Sequence, residues 1–191
     1  MSIVSRCIQD IIKYWKECRE IVFIVVLVIF VVAAGVRIYR RKNGLKYDSV
    51  AVFCYKVLVA VCDSIYVTVS FYITFGMRYV GERQEVQWIP FEEVWGNIWE
   101  LPLLVENCLL FVPFGILTPL TFYRFRNWKK IAKYAFLLSI LIESAQYIFQ
   151  CGKTEVDDVI LNCLGAMVGY GLFVLVSKRI SDIPEFGFAK M

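Results

Sequence analysis

Long apolar runs alternate with short charged connections along the whole chain. The runs cover Ile21–Val36, roughly Ser49–Phe75, Leu101–Phe122, Ile131–Phe149 and Val159–Val176. Most approach the roughly 20 apolar residues that a helix needs to cross the hydrocarbon core of a bilayer, the first being at the short end. Ahead of them, Val4, Ile8, Ile11, Ile12 and Trp15 alternate with Arg6, Lys13, Lys16 and Arg19. That spacing suits an amphipathic helix resting on a membrane surface. The charged leader is too long for a signal peptide, so Ile21–Val36 reads as an uncleaved anchor. The pattern predicts an all-α polytopic membrane helical bundle, with about five transmembrane helices behind the amphipathic N-terminal helix. The division expected is a leader (1–20), two spans (21–75), an outer interfacial loop plus three spans (76–180) and a short tail (181–191).

Polar residues interrupt three of these runs in a repeated way. Glu106 and Asn107 share one, Glu143 and Gln146 the next, and Asp158 and Asn162 the last. An ionisable group inside a bilayer costs at least about 2.5–3.5 kcal/mol on insertion scales, which marks it as a candidate functional residue. Loop charge supplies an orientation. Arg37, Arg40, Arg41, Lys42 and Lys46 crowd the first connection, and Arg124, Arg126, Lys129, Lys130 and Lys133 the third. The positive-inside rule puts those loops and the C-terminus in the cytoplasm, and the N-terminus outside despite its basic leader. Alternating helices then bring all three polar pairs to similar depth in the outer half of the membrane, at about 1.5 Å of rise per residue. The expectation is a polar, ligand-binding pocket there. Its competitor is plain packing, because buried amides and acids also join helices, at about 0.6–2 kcal/mol per hydrogen bond.

Composition agrees with the membrane class: 59% of residues are hydrophobic and the mean hydropathy is +0.62. The chain has no histidine, which removes His-based nucleophile activation and His-ligated zinc. Its seven cysteines form no CxxC pair and mostly read as small hydrophobes, with Cys108 and Cys163 near one membrane face. Neither cofactor nor metal is expected, and nothing points to nucleic acid. In the longest connection, 76–100, Trp88, Phe91, Trp95 and Trp99 lie among acids, the composition of a segment at headgroup level.

Other residues shape the bundle. Pro113 cannot donate to the carbonyl of Leu109, so a kink and a freed acceptor are expected below Asn107. Gly165 and Gly169 form a GxxxG stripe with Asn162, which admits a close neighbouring backbone. Lys56 can snorkel to the interface. Asp63 either lines the same cavity with Ser64 and Thr68 or hydrogen-bonds locally, and Lys153 faces Asp157, Asp158, an anionic headgroup or solvent.

These residues carry a resemblance. Asn107-Cys-Leu-Leu-Phe-Val-Pro-Phe-Gly115, Glu143-Ser-Ala-Gln146, and Asp157-Asp158 followed by Asn162-Cys-Leu-Gly165 and Gly169 resemble the motifs of the VanZ-like membrane proteins. Trp88-Ile-Pro-Phe91 is similar to that family's outer-loop motif, and the likeness runs from about residue 86 to 172. The first two spans carry no such signature. The resemblance implies a multipass protein of the bacterial cell membrane, whose family namesake confers low-level teicoplanin resistance without altering the D-Ala-D-Ala terminus. It implies that Asn107, Glu143, Gln146, Asp158 and Asn162 are motif residues and that Pro113, Gly115, Gly165 and Gly169 shape the fold. Many members carry an arginine about where Gly152 stands; here Lys153 is adjacent and lacks a bidentate fork.

Three functions compete. The favoured one is a binder in which Glu106, Asn107, Glu143, Gln146, Lys153, Asp158 and Asn162 hold the headgroup of a membrane lipid or lipid-linked cell-wall intermediate. The second is an intramembrane enzyme with Glu143 and Asp158 as general acid and base, although no nucleophile is evident. A proton-coupled transporter is third, since only Asp63 extends the polar trail inward.

Overall fold

The computed structural model describes residues 3–44, 50–76, 82–97 and 101–180; the 181–191 tail lies outside them. Among the described residues five helices are long and apolar enough to cross a membrane, with candidate spans Lys16–Lys42, Val52–Gly76, Leu101–Thr121, Trp128–Phe149 and Val156–Ser177. Their outward side chains are apolar, as lipid requires: Phe23, Val31, Leu58, Val67, Leu141 and Leu175 are all exposed. The protein is an all-α membrane bundle, as its sequence predicts.

Helix α1 (Ile3–Lys42) fuses the leader and the anchor into one helix of 40 residues. No proline occurs in it and its one glycine, Gly35, sits in open space, so nothing stops the helix between leader and span. At about 1.5 Å per residue it is about 60 Å long, twice the hydrocarbon core. It ends where Asn43 Nδ2 donates to the Tyr39 carbonyl and Gly44 takes a φ of +64°. Arg40, Arg41 and Lys42 in the last turn complement its dipole.

Helix α2 (Val50–Phe71) finishes in a π turn, Tyr72–Gly76. Strand β1 (Glu82–Gln87) and the short α3 (Glu92–Gly96) follow. Helix α4 (Leu101–Thr121) then runs as one helix through Pro113 and Pro119. Its last carbonyls are served from outside the helix: Arg126 Nε donates to Pro119 O at 3.2 Å and the Tyr55 hydroxyl to Leu120 O at 3.4 Å. Helix α5 (Trp128–Phe149) starts on an Asn127 cap that accepts from the Lys129 N–H at 2.9 Å. It turns through Gln150 at φ 54° into β2 (Cys151–Glu155), which leads directly into α6 (Val156–Ile180).

Strands β1 and β2 pair in parallel, with Arg83 opposite Gly152 and Gln87 opposite Glu155, and one extra residue bulges on β1. This pairing ties the long connection to the α5–α6 turn. The core lies among α4, α5 and α6, around Phe111, Ile131, Ala135 and Ala166.

Helices α4 and α6 meet backbone to backbone. A Cβ at Gly165 would lie 1.9 Å from Cys108 O, one at Gly169 2.1 Å from Val112 O, and one at Gly115 2.1 Å from Ala166 O. The neighbour admitted by the GxxxG stripe is therefore α4, and Gly115 completes the seam from the opposite side. The described cysteines, Cys108 and Cys163 included, are free thiols.

Candidate functional site

The chain reverses between successive spans, so one end of the bundle gathers the start of α4, the end of α5 and the start of α6. Contacts at that end join the polar residues across helices. Asn107 Nδ2 donates to Asp158 Oδ1, linking α4 to α6. Asn162 Nδ2 donates to Ser139 Oγ at 2.8 Å, linking α6 to α5. Glu143 Oε2 accepts the backbone N–H of Glu155 at 3.2 Å, and Gln146 Nε2 donates to the Thr74 carbonyl in the π turn at 3.2 Å.

All of this lies inside the protein: Glu143, Gln146, Asp158 and Asn162 are 6%, 2%, 7% and 4% exposed. On α5 the buried positions Ile131, Ala135, Ser139, Glu143 and Gln146 form a single stripe that changes from apolar to polar towards this end. Two acceptors in the cluster stand apart. Asn162 Oδ1 and Gln146 Oε1 are buried and have no hydrogen-bond partner among the described residues. An unfilled buried acceptor costs about 1–3 kcal/mol, so it is a place where a donor from outside the fold would be favoured.

Glu106 takes a different direction. Its Oε2 accepts from the Tyr14 hydroxyl of α1 at 3.3 Å, because consecutive helical residues point about 100° apart. The structure thus places Glu106 against α1 and Asn107 against α6. Lys153 is half-buried on β2, beside the cluster in the chain. Asp63 lies elsewhere: its Oδ2 accepts from Thr121 at the far end of α4, and it precedes Thr74 by about 16 Å of helix rise. Asp63 thus ties α2 to the far end of α4, away from the polar cluster. Ser64 likewise turns back to the Ala60 carbonyl at 2.8 Å.

Two further residues join the candidate site, Ser139, which the sequence reading missed, and Asp157, which it quoted in a motif without a role. Ser139 is fully buried against Asn162, and its spacing of four from Glu143 was the available signal. Asp157 accepts the Phe91 N–H with both carboxylate oxygens at 3.0 Å, fastening the Trp88–Phe91 motif to the first turn of α6. Phe91 sits there at φ 62°, ψ 17°, a left-handed conformation that costs a bulky residue about 1–3 kcal/mol and needs such an anchor. Trp88, Ile89 and Trp95 around it are largely exposed. Asp157→Ala is expected to release this segment: hydrogen exchange at the Phe91 amide should accelerate at least about tenfold while α4–α6 keep their protection. Unchanged exchange would show that the anchor is not what holds the loop.

Among the described residues no group of three or more His, Cys, Asp or Glu side chains is placed to hold a metal ion. The arrangement offers buried carboxylates and amide oxygens, suited to ligands rich in hydrogen-bond donors.

A family model described as VanZ/LLP1 matches residues 21–177. The match reaches back through the first two spans, where the motifs gave no sign of it. Protein VanZ of Enterococcus faecium is 34% identical over 87 residues, which is 46% of this chain and 52% of that protein. The chain thus aligns with about half the length of this curated relative. No solved structure matches significantly.

Proposed function

The chain belongs to the VanZ/LLP1 family, and from that premise we propose that it is a bacterial cell-envelope protein whose polar cluster binds the headgroup of a lipid or lipid-linked wall precursor. Occupancy of that site would alter the envelope surface and so modulate susceptibility to teicoplanin-type glycopeptides. The observation that carries the reading is the pair of buried, unfilled acceptors on Asn162 and Gln146, set among the carboxylates of Glu143 and Asp158. Headgroup hydroxyls and amines are the donors such a site would recognise, with Asn107 bonded to Asp158 at its edge and Lys153 next to it in the chain.

Loop charge supports an outer-leaflet position for the cluster. The opposite end carries Arg37, Arg40, Arg41, Lys42, Arg124, Arg126, Lys129 and Lys130, the end that faces the cytoplasm by the positive-inside rule, together with the C-terminus. A membrane-impermeant thiol reagent applied outside is expected to label cysteines introduced at Glu93 and Glu155 and to spare one at Asn127. External labelling at Asn127 would invert the orientation and move the site to the inner leaflet.

The second reading, an enzyme, draws on the two buried carboxylates at this end of the bundle, Glu143 and Asp158. Glu143→Gln keeps volume and one acceptor but cannot take up and release a proton, so it separates the readings. Lipid extracts from cells overproducing the wild type and Glu143→Gln are expected to show the same species. A modified lipid that accumulates only with the wild type would replace the binder with the enzyme.

A further inference from the structure

A second lipid site is marked out far from the polar cluster, between α1 and α2. A groove of about 430 Å³ runs there, walled by Val28, Val32 and Ala33 on one side and Val57 and Ala60 on the other. Arg37, Arg40 and Lys56 line its basic end. The groove falls within the roughly 300–1,000 Å³ of sites that hold a small organic ligand. From Arg40 to Val28 the α1 wall rises about 18 Å, close to half of a bilayer's hydrocarbon thickness. One leaflet's acyl chain would therefore span it.

The cations are positioned rather than scattered. Arg37 and Arg40 are three residues apart and lie on one face of α1. The Arg37 guanidinium stacks over the Phe53 ring of α2 at 4.5 Å, which fixes a positive charge at the mouth between the two helices. Lys56, one turn from Phe53, contributes the third cation from the facing helix. Lipid surrounds every apolar face of a membrane protein, but a chain-length groove topped by three converging cations discriminates by headgroup charge. We infer that this groove is a binding site for one anionic phospholipid, its phosphate held by Arg37, Arg40 and Lys56 and one acyl chain lying along Val28–Ala33. The site is independent of the polar cluster at the other end of the bundle.

The test uses the full-length purified protein, mixed with equal amounts of phosphatidylglycerol and phosphatidylcholine and examined by native mass spectrometry. The wild type is expected to retain one phosphatidylglycerol, in about tenfold preference over phosphatidylcholine. Arg37→Gln with Arg40→Gln should erase that preference, the order of effect expected for two cations near an anionic headgroup. Ala33→Phe, which fills the groove and keeps the charges, should also lose the bound lipid. Lys129→Gln with Lys130→Gln, at the same end but outside the groove, should behave as wild type. Size-exclusion profiles identify any variant that fails to fold, in which case Lys56→Gln alone must weaken phosphatidylglycerol retention. Equal retention of both lipids by the wild type would overturn the site, as would full retention in folded groove variants. A dimer that Ala33→Phe dissolves would assign the groove to a second copy of the chain instead.

Discussion

Gly165→Ala is expected to deplete the folded protein from the membrane by at least tenfold, although it adds a single methyl group. The added carbon would sit 1.9 Å from the Cys108 carbonyl oxygen, which belongs to the α4 backbone and not to a side chain that could turn aside. Relief requires α4 and α6 to separate along the seam that also includes Gly115 and Gly169. Overpacking a tight contact costs about 1–3 kcal/mol when side chains can yield, and more when they cannot. In a membrane the loss is severe, because van der Waals contact at small-residue seams is a main force joining helices. Gly171→Ala is the matched control. Nothing lies within 4 Å of its added carbon, so this variant should gain about 0.5–1 kcal/mol of helix stability and keep normal levels. The check is membrane abundance and size-exclusion profile of both variants side by side. Equal abundance would mean that α4 and α6 do not touch as described.

The second large effect concerns function rather than folding. Asn162→Leu and Gln146→Met are each expected to reduce teicoplanin tolerance to that of cells lacking the protein, with membrane levels within about twofold of wild type. Both substitutions roughly conserve volume and delete the two unfilled acceptors. Each also strands one buried partner, Ser139 Oγ or the Thr74 carbonyl, at about 1–3 kcal/mol. That is a tolerable loss for a bundle in which α6 is also held by the Gly165 and Gly169 seam against α4. Tolerance assays with parallel immunoblots of membrane fractions measure the two quantities separately. If both variants disappear from the membrane, Asn162 and Gln146 are fastenings between helices and the cluster has no ligand to lose.

The five spans were legible because length and hydropathy alone decide whether a helix crosses a bilayer. The polar cluster was legible for a related reason: in an apolar run each carboxylate or amide stands out, and alternating spans bring Asn107, Glu143, Gln146, Asp158 and Asn162 to one end. Its partners were harder to read. Gln146 meets a backbone carbonyl in the π turn, and Asp157 meets the Phe91 N–H, so neither contact has a second polar side chain to betray it. Glu106 looked like a companion of Asn107 because the two are adjacent, whereas helix geometry sends adjacent residues to different neighbours. The strands Glu82–Gln87 and Cys151–Glu155 are polar and short, lacking the alternation that advertises a half-buried strand, and two whole spans, α4 and α5, separate them in the chain. The amphipathic spacing of the leader predicts a surface helix, yet no residue interrupts the helix before the anchor begins, and the two are continuous.

A headgroup held by the buried acceptors is the claim on which the functional reading depends, and lipid occupancy measures it most directly. Wild-type protein and Asn162→Leu would be purified gently from the same cells and their bound lipids identified by native mass spectrometry. The expected result is one envelope lipid with a donor-rich headgroup on the wild type and its loss from the folded Asn162→Leu protein, with any phospholipid in the α1–α2 groove retained by both. The same lipid complement on the two proteins would contradict binding at this cluster.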